Sequence, residues 1–131
     1  MEPLFINIDI ESDIPVYLQL IYEIKRLIIT GSLRQGEFLP SIRNLAGDIG
    51  INMHTVNKSY KQLVAEGILV KDTKGFKVGA LSKRQMNRTL KKEFNERLRQ
   101  ILIDAAMFNL SYEEFSEWQA KVTEDIMKGN D

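Results

Sequence analysis

The chain has no cysteine, one histidine, one tryptophan and three prolines in 131 residues. Without cysteine there is no disulfide framework, no thiolate metal site and no thiol nucleophile, which suits a reducing cytosol. Net charge is absent as well, with 18 basic and 18 acidic side chains. No apolar run exceeds four residues, the longest being 105–108, against the roughly 20 that a membrane-spanning helix needs. The first residues, MEPLFINIDIESD, are acidic and lack the apolar stretch of a signal peptide. The expectation is a soluble, cytoplasmic protein with no membrane partner.

What is present is an ordinary globular composition, 44% hydrophobic and 27% charged, so disorder is excluded as the main state. The length suits one domain, or a small domain with an appendage. It is too short for a DNA-binding head joined to a full-sized ligand-binding domain. The zero net charge conceals a pattern: residues 81–100 hold seven basic and two acidic side chains, and residues 101–131 hold two and seven. Residues 52–77 carry five lysines against Glu66 and Asp72. A phosphate backbone responds to charge within about 8–10 Å at moderate salt, so local sign matters more than the total. The same runs also suit solvated helix faces.

Residues 4–10, LFINIDI, alternate enough to suggest a short extended arm. Asp13 and Pro15 mark a helix start, and Leu20, Ile21, Ile24, Leu27 and Ile28 then recur at helical spacing up to Gly31. Pro40 disfavours a helical Leu39, and Ser41 is a good N-cap for a second helix with Ile42, Leu45, Ala46 and Ile49 facing inward. Gly50 ends that helix. Asn52 caps a third, running to about Glu66, with Val56, Tyr60, Leu63 and Val64 as its inner face. Two short strands, 69–71 and 76–78, follow, joined by Asp72-Thr73-Lys74-Gly75. A long helix is expected from about Ser82, striped by Leu90, Phe94, Leu98, Ile101, Leu102, Ala105 and Phe108. After a break at 109–111, Ser111 and Glu114 have capping-box spacing. A final helix carries Tyr112, Phe115, Trp118, Val122 and Ile126 on one side. Two helices joined by a short turn cannot bury both stripes alone; they need the first domain or a second copy of themselves.

Ala46, Gly50 and Val56 form a steric set. A close helix crossing needs a small residue on the first helix, a tight turn there commonly needs positive φ, and the second helix needs an aliphatic residue pointing back. That is the recipe of a helix-turn-helix, whose second helix enters the major groove. With Val56, Tyr60 and Leu63 inward, Met53, His54, Asn57, Lys58 and Lys61 face out, with no acid before Glu66. Asn57 can pair with an adenine edge, His54 can donate to or accept from a base, and Met53 can touch a thymine methyl. Lys58 and Lys61 would sit over phosphates, positioning without reading sequence.

The stretch from Ile14 to Val78 resembles the winged helix-turn-helix of the GntR family of bacterial transcription regulators. IPVYLQL, then ITGSLRQGEFLPSIRNLAGDIGI, then TVNKSYKQLVAEGILV carry the resemblance in family order and spacing. The short two-helix tail and the Asn52-x-x-Thr55-Val56 start of the third helix resemble the YtrA-like branch. The resemblance implies a mainly α fold: an arm at 1–13, a winged helix-turn-helix of three helices and a two-strand wing at 14–80 (helix-turn-helix about 42–61), and a two-helix dimerisation tail at 81–131. It implies a dimeric repressor, often of a transporter operon, reading double-stranded DNA at a pseudo-palindromic operator.

Ser41 belongs to the leucine-proline-serine motif at the DNA-facing start of the second helix, and Arg43 resembles the family's phosphate- or base-contacting arginine. Asn52 and Thr55 fall at recognition-helix start positions, and His54 occupies a contact position often held by asparagine or threonine. Asn57 stands where other branches carry a guanine-reading arginine, so that role does not carry over, and Met53 departs from the usual proline or arginine. Relatives show glycine-basic-glycine in the wing; here Gly75 stands alone, and Lys74 and Lys77 remain as phosphate contacts. Leu90, Phe94, Leu98, Ile101, Leu102, Phe108, Phe115, Trp118 and Val122 are the expected dimerisation surface.

An enzyme finds no support. No glycine-rich phosphate loop occurs, and Asp9, Glu11 and Asp13 lack the glycine and final glutamate of a calcium loop; no metal or cofactor is expected. No residue trio supplies a nucleophile, a base and an orienting group. A winged helix that binds protein instead of DNA is the alternative, and it should carry acids or a larger apolar patch on the third helix. Tyr112, Phe115 and Trp118 fit packing or a dimer interface better than an aromatic ligand cage. Lys83, Arg84, Arg88, Lys91 and Lys92 suit either a DNA flank or a solvated linker. A two-helix tail of about 50 residues leaves little room for an enclosed effector pocket, and the sequence names no effector.

Overall fold

In the computed structural model, which describes residues 4–80 and 86–128, the order is α1 (Val16–Ile29), α2 (Ile42–Ile49), α3 (Met53–Ala65), β1 (Leu69–Asp72), β2 (Gly75–Val78), α4 (Arg88–Met107) and α5 (Tyr112–Lys128). The chain is mainly helical, with one antiparallel strand pair among the described residues. Those residues fall into two compact units, one containing α1 to β2 and the other α4 and α5.

Among the described residues, the first unit holds all the buried apolar side chains, from Leu20 to Val78. α1 supplies Leu20, Ile21, Ile24 and Leu27, α2 supplies Leu45 and Ala46, and α3 supplies Val56, Tyr60 and Leu63. Val64 departs from expectation: it is 36% exposed, because one residue past Leu63 the helix has turned about 100° out of the core. Ser59 takes the inner place, fully buried, with its hydroxyl donating to the Tyr17 carbonyl at 2.8 Å.

The turn between α2 and α3 is fixed locally. Gly50 is in the left-handed region at φ +70°, and its N–H donates to the Ala46 carbonyl. A side chain would be strained there, so glycine is the residue that permits the crossing. Gly79 is constrained differently: an added Cβ would stand 3.2 Å from the Gly67 carbonyl oxygen, where the chain leaves the wing.

β1 and β2 pair from Leu69↔Val78 to Asp72↔Gly75. Asp72 and Gly75 are therefore strand ends, and only Thr73 and Lys74 form the loop. The far edge of β2 is also paired, by residues 36–39. Gly36 N–H donates to the Val78 carbonyl, Val78 N–H to Glu37 and Leu39 N–H to Phe76. Residues 4–9 form neither helix nor strand, residue 10 enters a turn, and Leu4, Ile6 and Ile8 pack on the core. Gln19 of α1 pins this arm, accepting from Asp9 N–H at 2.8 Å and donating to the Asp9 and Ile14 carbonyls.

α4 begins at Arg88, later than the expected 82; Met86 and Asn87 are not helical, and Asn87 caps the helix by accepting from Leu90 N–H. Residues 82–85, including Lys83 and Arg84, lie outside the described residues. The capping box at α5 is present: Ser111 Oγ accepts from Glu114 N–H, and Glu114 Oε1 accepts from Ser111 N–H, each at 3.1 Å. Among the described residues, no helix is long and apolar enough to cross a membrane.

Candidate nucleic-acid interface

The residues that start α2 and α3 are capped from their own side chains. Ser41 Oγ accepts from Asn44 N–H at 3.1 Å, and Asn52 Oδ1 accepts from His54 N–H at 2.7 Å. Each cap oxygen is thus occupied, while the Ser41 hydroxyl proton and the Asn52 amide nitrogen remain donors. α3 turns Val56, Ser59, Tyr60 and Leu63 inward, which sets Met53, His54, Lys58 and Lys61 on the exposed side and leaves Asn57 and Thr55 half-buried. α3 contains no carboxylate, and its N-terminal end adds a partial positive charge. Tyr60 fixes the relation of α3 to the approach to α2. Its phenol donates to the Pro40 carbonyl at 2.8 Å, and its ring meets Phe76 edge-on at 4.9 Å. Burial pushes this phenol well above its ordinary range.

Two surface depressions gather the expected contact groups. Ser41, Ile42, Arg43, Asn52, Met53, His54 and Asn57 line a hollow between the first turns of α2 and α3. Val16, Tyr17, His54, Thr55 and Lys58 line a cleft between α1 and α3. His54 belongs to both. The structure brings the expected α2 and α3 residues together, apart from Lys61, which is exposed further along α3. Lys58 has a partner the sequence reading did not supply: its ammonium lies 3.8 Å from the centroid of the Tyr17 ring. Ile42 was assigned wholly to the inner face, yet it is half-buried and also walls the hollow. Its position directly after the Ser41 cap is the signal that places it there.

The wing presents fewer free charges than its lysine count suggests. Asp72 Oδ1 accepts from Lys74 N–H at 2.7 Å, and Lys77 Nζ lies 3.4 Å from Asp72 Oδ2 and 5.9 Å from the Phe38 ring centroid. The hydrogen bond from the Lys74 backbone, together with Lys77, holds the Asp72 carboxyl below its ordinary value. Lys77 is therefore half-buried and partly neutralised, whereas Lys74 at the loop is exposed beside Gly75, whose φ is +135°.

In the second unit no residue of α4 or α5 is buried. Phe94, Leu98, Ile101, Leu102, Trp118 and Val122 are between 40% and 61% exposed, and Phe108 at the turn is 80% exposed. Leu90 and Phe115 are half-buried. Beside this stripe Arg88, Lys91, Lys92 and Arg99, with Asn95 and Glu96, line a shallow basic cleft on α4.

Comparison with known proteins gives concordant results. The family pattern described as bacterial regulatory proteins, gntR family, matches residues 16–78. The HTH-type transcriptional repressor YtrA of Bacillus subtilis (strain 168) is 34% identical over 125 residues, spanning 95% of this chain and 96% of that protein. The crystal structure of a transcriptional antiterminator from Listeria monocytogenes EGD-e is similar with a TM-score of 0.86 at 26% identity, over 97% of this chain and 95% of that one. YtrA from Sulfolobus acidocaldarius, a GntR-family transcription factor, is similar with a TM-score of 0.62 at 38% identity, over 78% of this chain and 97% of that one.

Proposed function

We propose, from the premise that this chain belongs to the gntR family of bacterial regulatory proteins and is a DNA-binding transcription regulator rather than an enzyme, that it is a homodimeric repressor of an operon. In this reading residues 14–80 form the DNA-binding head and residues 81–131 the dimerisation tail. The α3 helices of two copies enter successive major grooves of a pseudo-palindrome, with half-sites about 34 Å apart. The observation that carries it is one chain holding both a third helix without a carboxylate, capped by Asn52 beside the Ser41 cap of α2, and a helix pair whose apolar stripe no described residue buries. Contiguous exposed apolar patches of this kind mark interaction surfaces, and a twofold arrangement lets one stripe cover its own copy.

Within the head, Arg43, Lys58, Lys61 and Lys74 serve as phosphate contacts, joined by the Ser41, Asn52 and Thr55 donors. Asn57 and His54 read base edges. Lys77 contributes less, being shared with Asp72. The working place is the cytoplasm of a bacterium, where the operator is. No cofactor or metal takes part.

Deleting residues 82–131 tests the arrangement, because the head retains every buried apolar side chain of the described residues. The truncated head is expected to fold, to remain monomeric, and to bind a full operator far more weakly than the intact chain. Equal operator affinity for the two forms would remove the tail from the account.

A further inference from the structure

Protein surfaces that meet DNA are, as a rule, polar and strongly cationic, and the hollow between α2 and α3 joins that character, through Arg43, to two apolar side chains. Ile42 and Met53 are the two apolar residues among those that line it. Both residues occupy the same place in their helices, the first helical position after the Ser41 and Asn52 caps. Ile42 is half-buried and packs on the core, which makes it a fixed wall. Met53 is 43% exposed, and its unbranched thioether adapts to the shape of whatever it meets. No carboxylate lines the hollow, and its rim carries donors from Ser41, Arg43, Asn52, His54 and Asn57.

An apolar pocket ringed by donors at the start of two helices calls for a ligand that is anionic and polar overall but presents one small apolar group. In the major groove that group is the C5-methyl of thymine, the one methyl that the four base pairs present there. We propose that this hollow is a methyl-reading subsite, which seats the C5-methyl of one thymine in each half-site against Met53 and Ile42. The inference rests on the DNA-binding reading above and sharpens it by fixing one operator feature. Asn57 lies four residues beyond Met53 and so on the same helix face, where its amide can take the adenine edge of the same or the adjoining pair. Met53 then adds a methyl contact to the hydrogen-bond readout of that thymine's position.

The test compares thymine with deoxyuridine, which removes the methyl and keeps every hydrogen-bonding group. The intact chain is first given selected genomic fragments to define its preferred site. Each thymine of that site is then replaced in turn by deoxyuridine, and affinity is measured by fluorescence anisotropy. At one position per half-site the replacement is expected to weaken binding about 4-fold, and about 15-fold when both half-sites are changed, from the burial of one methyl per copy. Met53→Ser should erase the thymine-to-uridine difference at that position and no other, whereas Met53→Leu should keep it. Met53 is partly exposed, so both variants should melt with the parent, and circular dichroism checks that they are folded. A preferred site at which no uridine replacement matters overturns the methyl-reading subsite while leaving specific DNA binding intact. A uridine effect that persists in Met53→Ser overturns the assignment to this hollow. Failure to select any preferred site overturns both this inference and the reading on which it rests.

Discussion

Replacing Trp118 by alanine should break the proposed dimer, and the size of the effect follows from its exposure. Trp118 is 61% exposed, and a tryptophan side chain offers roughly 250 Å2, so about 150 Å2 of it is available to a partner. At roughly 25 cal/mol per Å2 this is about 4 kcal/mol per copy as an upper figure, and it counts twice across a twofold axis. Alanine keeps the Cβ and the interface closes partly around the gap, so a loss of about 2 kcal/mol per copy is a lower figure. Twice that weakens the dimer about a thousandfold. Sedimentation velocity across a concentration series measures the shift directly. Operator binding by the variant should also become steeper in protein concentration, because two monomers must now assemble on the site. A parent chain that is monomeric at micromolar concentration yet binds its operator fully, or a Trp118→Ala dimer as tight as the parent, would refute the assignment of the α4–α5 stripe to dimerisation.

The remaining predictions concern the head. Lys61→Ala should weaken binding equally on all sequences and flatten the salt dependence by about one phosphate contact per copy. Asn57→Ala should instead relax preference at one base position by about 1–3 kcal/mol; two variants that both lower only general affinity would contradict this division of roles. Tyr60→Phe removes the donor to the Pro40 carbonyl and should cost about 1 kcal/mol, or about 4–8 °C in the melting of the head, with an unchanged melt as the contrary result. The Asp72 carboxyl, held below its ordinary 3.8 by Lys74 N–H and Lys77, contributes stability that is present above the unfolded value and lost as pH falls through the folded one. The wing should therefore be indifferent to pH near neutrality, and NMR titration of the Asp72 carboxyl carbon at or above 3.8 would contradict the contact.

The parts of the fold that were legible in the sequence are those whose cause is local. Ser41 and Asn52 sit within three residues of the N–H groups they cap, and Gly50 answers a single backbone angle, so α2, the turn and the start of α3 can be read from short stretches. The capping box at Ser111 and Glu114 is legible for the same reason. What could not be read depends on partners distant in the chain. The pairing of residues 36–39 with β2 joins segments some 40 positions apart, and neither has an alternation that announces the other. Ser59 reads as a polar surface residue until Tyr17, 42 positions away, supplies its acceptor. Lys58 reads as a free cation until the same tyrosine offers its ring. Asp72 at the strand end, recognised as a turn residue, gave no sign that it would hold Lys77. The start of α4 at Arg88 has a local cause, since Asn87 is a good cap whose side chain accepts from Leu90 N–H. In the candidate interface, outward residues followed from the inward ones by helical period; Ile42 escaped, because a residue at a helix start can serve the core and the surface together, and Val16 and Tyr17 escaped, because only the packing of α1 on α3 brings them beside His54 and Lys58.

The central claim is specific recognition of DNA by two copies of the chain, and a genomic-fragment binding selection at two salt concentrations tests it most directly. Phosphate contacts weaken steeply with salt, whereas base readout by paired recognition helices survives as a preference among sequences. The account predicts that the fragments retained at the higher salt align on one pseudo-palindrome with half-sites about one helical turn apart. Recovery of unrelated fragments that wash away together as salt rises would contradict it.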